Sequence, residues 1–269
     1  MENTHFKDKV IVITGASRGI GRELACRLAA QGGKLSLAAR GKEQLETVKA
    51  ECAQRGGQAI AVPTDVTVQA QCESLMRKTV EAFGGIDVLV NNAGTSMWAM
   101  FEDVTDLSIF EKIMRVNYLG SVYCTHYALP HLKAVRGQIV AVSSLTGKNG
   151  VPTRSGYAAS KHAMVGFFDS LRIELADNGV AVTIIYPGFV ATDTRKHAFG
   201  PDGKPLGNSP VHEEEIMTVE ECVNQMLPAI QKRKRELVMT LRAKVGQYIK
   251  LFAPGLVDRI ARRAIEAGK

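Results

Sequence analysis

The sequence predicts an α/β protein: a single doubly wound domain with a mostly parallel seven-stranded sheet, helices on both faces and a C-terminal helical extension. Three observations predict it. Short β-branched runs alternate with longer stretches of helical spacing, a glycine-rich turn directly follows the first such run, and no repeat or linker interrupts the alternation. Alternating strand and helix signals imply right-handed βαβ units in one sheet. With 269 residues and 45% apolar content, the chain can bury one large core.

Val10 to Thr14 (VIVIT) is the pattern of a parallel strand buried on both faces. It runs into Gly15-Ala16-Ser17-Arg18-Gly19-Ile20-Gly21 and then into Arg22 to Ala30, whose apolar spacing is helical. Strand, turn and helix together make a phosphate site. Glycines let the backbone approach a pyrophosphate, and the helix N-terminus offers free N–H groups and the positive end of its dipole. Gly15, Ser17, Arg18, Gly19, Ile20 and Gly21 are therefore candidate cofactor residues, in a GxxxGxG spacing rather than GxGxxG.

Lys34 to Ala39 (KLSLAA) is the second strand. In an NAD site an acidic residue about 20 positions after the glycines holds the ribose 2′-hydroxyl. Nineteen positions after Gly21 stands Arg40 instead. A guanidinium suits the 2′-phosphate of NADP(H), with Arg18 as a second clamp, because arginine grips phosphate bidentately. NADP(H) is the expected cofactor.

Gln44 to Arg55 reads as a helix, Ala59 to Val62 as a strand and Thr67 to Phe83 as a helix. Asp65 and Val66, at the strand end, are expected beside an adenine ring, and Asp65 or Thr67 equally suits the N-cap of the helix. Val88 to Val90 is the fourth strand, ending in Asn91-Asn92-Ala93-Gly94. Small and amide side chains there let a cofactor ring lie close to backbone, which adds Asn92, Ala93 and Gly94 to the candidates.

Gln138 to Val142 is a further strand, with Ser144 just beyond it. Thirteen positions after Ser144, Tyr157-Ala158-Ala159-Ser160-Lys161 opens a stretch of helical spacing. Residues four apart share a helix face, so the phenol and the ammonium are expected as neighbours. A phenol titrates near pH ~10, and an adjacent cation favours the phenolate. Tyr157 is thus a candidate acid and base near neutrality, with the Ser144 hydroxyl holding a substrate oxygen.

Charge is uneven along the chain. From Lys232 onward there are eleven Lys and Arg against three Asp and Glu, while the preceding 231 residues hold 23 against 24. A neutral body with a cationic tail argues against nucleic-acid binding and places any electrostatic partner at the C-terminal end. The five scattered cysteines read as reduced, buried thiols, and none of the six histidines has metal-ligand spacing, so no metal is expected. MENTHFKDK has no apolar signal-peptide region and no run of about 18 apolar residues occurs, so a cytoplasmic protein is expected.

TGASRGIG at Thr14 to Gly21, NNAG at Asn91 to Gly94, Asn117 in the helix beyond, Ser144 with Tyr157 and Lys161, and PGFVAT at Pro187 to Thr192 stand together. In order and spacing they resemble the short-chain dehydrogenase/reductase family, over roughly Lys9 to Met239. The resemblance implies an NADP(H)-binding Rossmann catalytic domain over residues 1–240, with residues 241–269 a basic helical extension of it. It implies that Tyr157 gives or takes a proton while hydride moves to or from nicotinamide C4. Lys161 would hold the nicotinamide ribose and lower the phenol's pKa, by about three units or roughly 4 kcal/mol. Ser144 would polarise the carbonyl, and Asn117 would position a water relaying protons to Lys161. Pro187, Gly188, Val190 and Thr192 would contact the cofactor, the last two at the carboxamide. Homodimers or homotetramers are also implied.

Substrate choice in this fold lies in loops beyond the strand ends. Met97, Trp98, Met100, Val151, Pro152 and Phe189 are the wall candidates, mostly apolar, so a hydrophobic ketone, aldehyde or alcohol is the expected substrate. Residues 193–216 are rich in Gly and Pro and are expected to form a mobile lid. Leu241 to Phe252 looks helical, and Pro254 suits the start of a second helix with Leu256, Val257, Ile260, Ala261, Ala264 and Ile265 on one face. Such a basic amphipathic helix suits an anionic membrane surface, a neighbouring subunit or the chain's own cleft. With the lid, the tail resembles the branch containing dehydrogenase/reductase member 7 and 11-beta-hydroxysteroid dehydrogenase, which implies a lipid- or steroid-like substrate. A 3-oxoacyl-[acyl-carrier-protein] reductase and a non-catalytic NADP(H) sensor are the alternative readings.

Overall fold

The computed structural model describes residues 5–192, 195–209 and 216–266. Seven strands form one sheet, β1 (Val10–Thr14), β2 (Lys34–Ala39), β3 (Gln58–Pro63), β4 (Val88–Asn91), β5 (Gln138–Val142), β6 (Ala181–Tyr186) and β7 (Glu236–Val238). Their order is β3-β2-β1-β4-β5-β6-β7, and every pairing is parallel. β1 and β5 are buried along their whole length, which is why they read as unbroken apolar runs. Their side chains alternate between the faces. Ile11 and Ile13 pack toward α1 (Gly19–Ala29), α2 (Lys42–Gln54) and α7 (Val219–Gln231). Val12 packs toward α3 (Gln69–Phe83), α5 (Gly120–Ala134) and α6 (Ser155–Glu174).

Several boundaries differ from the expected ones for local reasons. The first helix begins at Gly19 rather than Arg22, so the last two glycines of the turn belong to its first turn. The helix expected from Thr67 begins at Gln69, and neither Asp65 nor Thr67 caps it. Asp65 Oδ1 instead accepts the Thr67 backbone N–H at 2.9 Å and its hydroxyl at 2.8 Å, folding a turn that delays the helix. α7 carries a capping box: Thr218 Oγ1 accepts the Glu221 N–H at 3.1 Å, and the Glu221 carboxylate accepts the Thr218 N–H at 2.9 Å. The T-x-x-E spacing is a sequence signal for that helix start.

The sheet's strand order reverses between β1, which continues outward to β2, and β4, which continues to β5. In doubly wound sheets the crevice at such a switch point, beyond the strands' carboxyl ends, is the binding site. Thr14, at the end of β1, ties the two strands together there. Its hydroxyl accepts the backbone N–H groups of Asn92 and Ala93, each at 3.0 Å, and donates to the Val90 carbonyl at 3.3 Å.

The tail forms α8 (Leu241–Phe252) and α9 (Pro254–Glu266), which pack on each other. The expected single apolar face of α9 is divided. Ala261, Ala264 and Ile265 line the cleft, whereas Leu256 and Ile260 are exposed. In α8, Leu241, Tyr248, Leu251 and Phe252 are exposed. Among the described residues no helix is long and apolar enough to cross a membrane.

Candidate active site

A cleft of about 1130 Å³ runs along the carboxyl ends of the strands, from the glycine turn to Tyr157 and on to α9. Gly15, Ser17, Arg18, Gly19 and Ile20 line its first part, with Arg40, Asp65 and Val66 beside them. Asn92, Ala93 and Gly94 form its floor, and Pro187, Gly188, Val190 and Thr192 its far wall. Gly21 is the exception, lying behind the turn. A Cβ there would stand 2.3 Å from the Gly15 carbonyl oxygen and 2.6 Å from Asn92 Nδ2, so glycine is required for packing. Gly15 has φ +66°, and its own Cβ would meet Ala93 Cα at 2.9 Å. The Asn92 amide donates to the carbonyls of Thr14 at 2.9 Å and Gly15 at 3.2 Å, so it braces the turn. These close approaches hold the backbone low and leave the N-terminus of α1 facing the cleft, which fits a dinucleotide pyrophosphate.

α6 carries Tyr157 and Lys161 one helical turn apart. The Lys161 Nζ lies 5.8 Å from the Tyr157 ring centroid and donates to the Val142 carbonyl, at the end of β5, at 2.9 Å. Ser144 follows β5, and its hydroxyl accepts the Thr146 N–H at 3.2 Å. All three line the cleft. Burial pushes the Lys161 ammonium down to about 8. Burial also raises the Tyr157 phenol, against the lowering pull of the Arg154 guanidinium and the neighbouring Ser144 hydroxyl. Desolvation wins, and the cation that opposes it is Arg154.

Asn117 lies in the helical run after the Asn91–Gly94 loop, as expected. It lies in a π-helical turn, Arg115–Leu119, between α4 (Ser108–Met114) and α5, and is wholly buried off the cleft. Its Oδ1 accepts the Thr95 N–H at 2.8 Å, while Nδ2 donates to the Thr95 carbonyl and the Ser160 hydroxyl, both at 2.9 Å. Both donor hydrogens of the amide are therefore used to bind the loop after β4 to α6. The side chain thus holds Thr95, next to Gly94, and Ser160, next to Lys161, and does not line the cleft.

The short chain dehydrogenase family profile matches residues 9–201. The chain belongs to the short-chain dehydrogenase/reductase family, whose members are oxidoreductases that use NAD(P). It is 34% identical over 264 residues to the dehydrogenase/reductase SDR family protein 7-like of Dictyostelium discoideum, spanning 96% of this chain and 82% of that one. To the 11-beta-hydroxysteroid dehydrogenase-like 4A of Arabidopsis thaliana it is 44% identical over 190 residues, 70% of this chain but 63% of that one, so it matches under two thirds of the plant protein's length. A crystal structure described as that of a short-chain alcohol dehydrogenase from Sinorhizobium meliloti 1021 superposes with a TM-score of 0.66, at 35% identity, covering 69% of this chain and 74% of that one.

In this short-chain dehydrogenase the substrate end of the cleft differs from its expected apolar form. Val151 and Phe189 line it, but Met97, Trp98, Met100 and Pro152 do not. Met97 is fully buried in a small cluster with Ile109 and Ile113, its sulfur accepting the Gly156 N–H at 3.2 Å. Arg154, Arg195 and His197 line the cleft instead, and no composition or periodicity signal marks them. The described part of the expected lid, 195–209, is tied down at Phe199. Phe199 N–H donates to the Ser96 carbonyl and Trp98 N–H donates to the Phe199 carbonyl, each at 2.9 Å. Residues 193–194 and 210–215 of the lid lie outside the described residues.

Proposed function

We propose that the chain is an NADP(H)-dependent reductase of hydrophobic ketones or aldehydes, reversible as an alcohol dehydrogenase, with a lipid- or steroid-like substrate. The observation that carries the reading is the opening of Tyr157, Ser144 and Lys161 onto one cleft with the glycine turn. The glycine turn and Lys161 would hold NADPH, which when bound would supply the hydride that the carbonyl carbon takes up. The Ser144 hydroxyl donates to the carbonyl oxygen and holds it against Tyr157. The Tyr157 hydroxyl gives its proton to that oxygen as the C–O double bond becomes a single bond, leaving alcohol and phenolate. Arg154 and the charged Lys161 stabilise the phenolate until solvent returns the proton. Lys161 would also donate to the ribose hydroxyls of the nucleotide, and Asn117 ties together the loop and helix beside it.

The relatives named for 11-beta-hydroxysteroid dehydrogenase support a lipid-like substrate, as does the apolar α9 face over the cleft. Arg40, exposed at the end of β2, and Arg18 support NADP(H), since no acid stands at the corresponding position to hold a free 2′-hydroxyl. A consumption screen over steroid, lipid, acyl-thioester and aromatic carbonyls with both nucleotides tests the reading. The expected optimum is an apolar ketone or aldehyde with NADPH. An acyl thioester as best substrate overturns the substrate class, and a higher kcat/KM with NADH overturns the cofactor. Arg40→Asp is expected to lower kcat/KM with NADPH by about tenfold to a hundredfold, the size of a lost charge-assisted contact, and to invert the preference.

We also propose that α8 rests on an anionic membrane surface. Leu251 is 74% and Phe252 88% exposed, next to Lys250 in a tail of net positive charge. Full-length protein is expected to co-sediment with phosphatidylserine vesicles, and the double variant Leu251→Glu/Phe252→Glu to lose at least about half of that binding. Equal recovery of both proteins with the vesicles would remove the helix from that role.

A further inference from the structure

We propose that Arg154 selects substrates carrying a carboxylate close to the reacting carbonyl, so that the substrate class is an apolar oxo acid or its hydroxy-acid partner. The inference rests on the reductase reading above and deepens it. Arg154 is only 5% exposed, yet its guanidinium is incompletely partnered. Nη1 donates to the Ser96 hydroxyl at 3.0 Å, whereas Nε and Nη2 are buried with no hydrogen-bond partner. Those two nitrogens form one edge of the guanidinium, whose parallel N–H groups match the two oxygens of a carboxylate. A buried cation left open on that edge is costly, and no side chain among the described residues hydrogen-bonds to it. Its electrostatic neighbours among the described residues are Tyr157 and a second cation, Arg195, with no carboxylate between them.

The guanidinium is held where an anion on the substrate would reach it. Its carbon lies 4.3 Å from the Trp98 ring, 5.5 Å from Phe189 and 5.7 Å from the Tyr157 ring. The last distance makes the guanidinium a neighbour of the Tyr157 ring on the same cleft. Arg154 lines the cleft, but Nε and Nη2 are covered from the water of the cleft as well as from bulk water, so an anion in the cleft reaches that edge by displacing the side chains over it. The preceding residue, Thr153, has φ +66°, an unfavourable conformation for a β-branched residue. Its carbonyl accepts the Ala99 N–H at 3.0 Å, and the Arg154 carbonyl accepts the Ala158 N–H at 2.7 Å. Strain of this kind persists where the surroundings hold it, and it gathers at ligand clamps.

The test compares cyclohexyl oxo acids having zero, two or three methylenes between carbonyl and carboxylate with their methyl esters. Steady-state kcat/KM is measured with NADPH on the full chain. At least one acid is expected to exceed its ester by on the order of tenfold to a hundredfold, and Arg154→Met to bring that ratio to about one by raising the KM of the acid. Arg154→Lys keeps the charge but not the fork and is expected to fall between the two. Binding is read separately through Trp98, the single tryptophan of the chain, by fluorescence titration with NADP⁺ present. Acids are expected to change its emission saturably and esters not to, in wild type only. Esters equalling or exceeding every acid in wild type, or an acid preference that survives in Arg154→Met, overturns the proposal without touching the reductase reading. Saturable binding of the acids through Arg154 with no turnover of any probe supports the anion site and overturns the reductase reading.

Discussion

Tyr157→Phe is expected to lower kcat by at least about a thousandfold while leaving NADPH affinity within about threefold, as befits loss of a proton donor from a site otherwise intact. The substitution removes one oxygen. The ring keeps its place on α6, between the Arg154 guanidinium at 5.7 Å and the Lys161 ammonium at 5.8 Å, so packing and cofactor contacts persist. What disappears is the group that protonates the carbonyl oxygen. Ser144 cannot replace it, because a hydroxyl of ordinary pKa polarises the oxygen without surrendering its proton. Single-turnover measurement with saturating NADPH checks the prediction, and survival of a tenth of the wild-type rate removes Tyr157 from the role.

Lys161→Met is expected to cost about a hundredfold in kcat/KM and yet to stabilise the cofactor-free protein by about 2 kcal/mol at pH 7. The lysine is buried, its pKa depressed from 10.5 to about 8 by desolvation alone. Carrying the charge into the fold at neutral pH therefore costs roughly 3 kcal/mol, partly offset by about 1 kcal/mol from the hydrogen bond to Val142. The sign follows from proton counting. Below pH 8 folded and unfolded chains are both protonated and the penalty is full. Between pH 8 and 10.5 the folded form sheds its proton while the unfolded chain keeps it, so the wild type gains stability as pH rises. The variant has no such group, and its advantage is largest at pH 7 and shrinks through that window. Thermal unfolding at pH 7 and 9.5 measures it, with an expected gain of about 4–8 °C at the lower pH. A variant less stable than wild type at pH 7 would mean that the fold compensates the charge. Methionine fills a similar volume, so packing loss does not obscure the result.

Much of the site was legible in the sequence because local spacing encodes it. The β-branched run before Gly15, the glycines of the turn and the four-residue step from Tyr157 to Lys161 each report a backbone geometry that neighbouring residues set among themselves. Asn117, Arg154 and the α9 residues are different. Asn117 and Arg154 have their roles decided by partners far along the chain: Ser160 lies 43 positions from Asn117, and Ser96 lies 58 positions from Arg154. No periodicity carries such information. The same limit applies to Met97, which belongs to the core and not to the substrate wall because α4 and Gly156 close over it.

The sequence by itself determined the doubly wound sheet, the dinucleotide turn and the tyrosine–lysine pair, since all three follow from repeat periods and glycine placement within a few residues. Only the tertiary structure decided that burial raises the phenol against the pull of Arg154, that Asn117 faces inward, and that α9 lies over the cleft. Desolvation depends on which distant elements exclude water from a side chain, and that is a property of packing that no single stretch of chain contains.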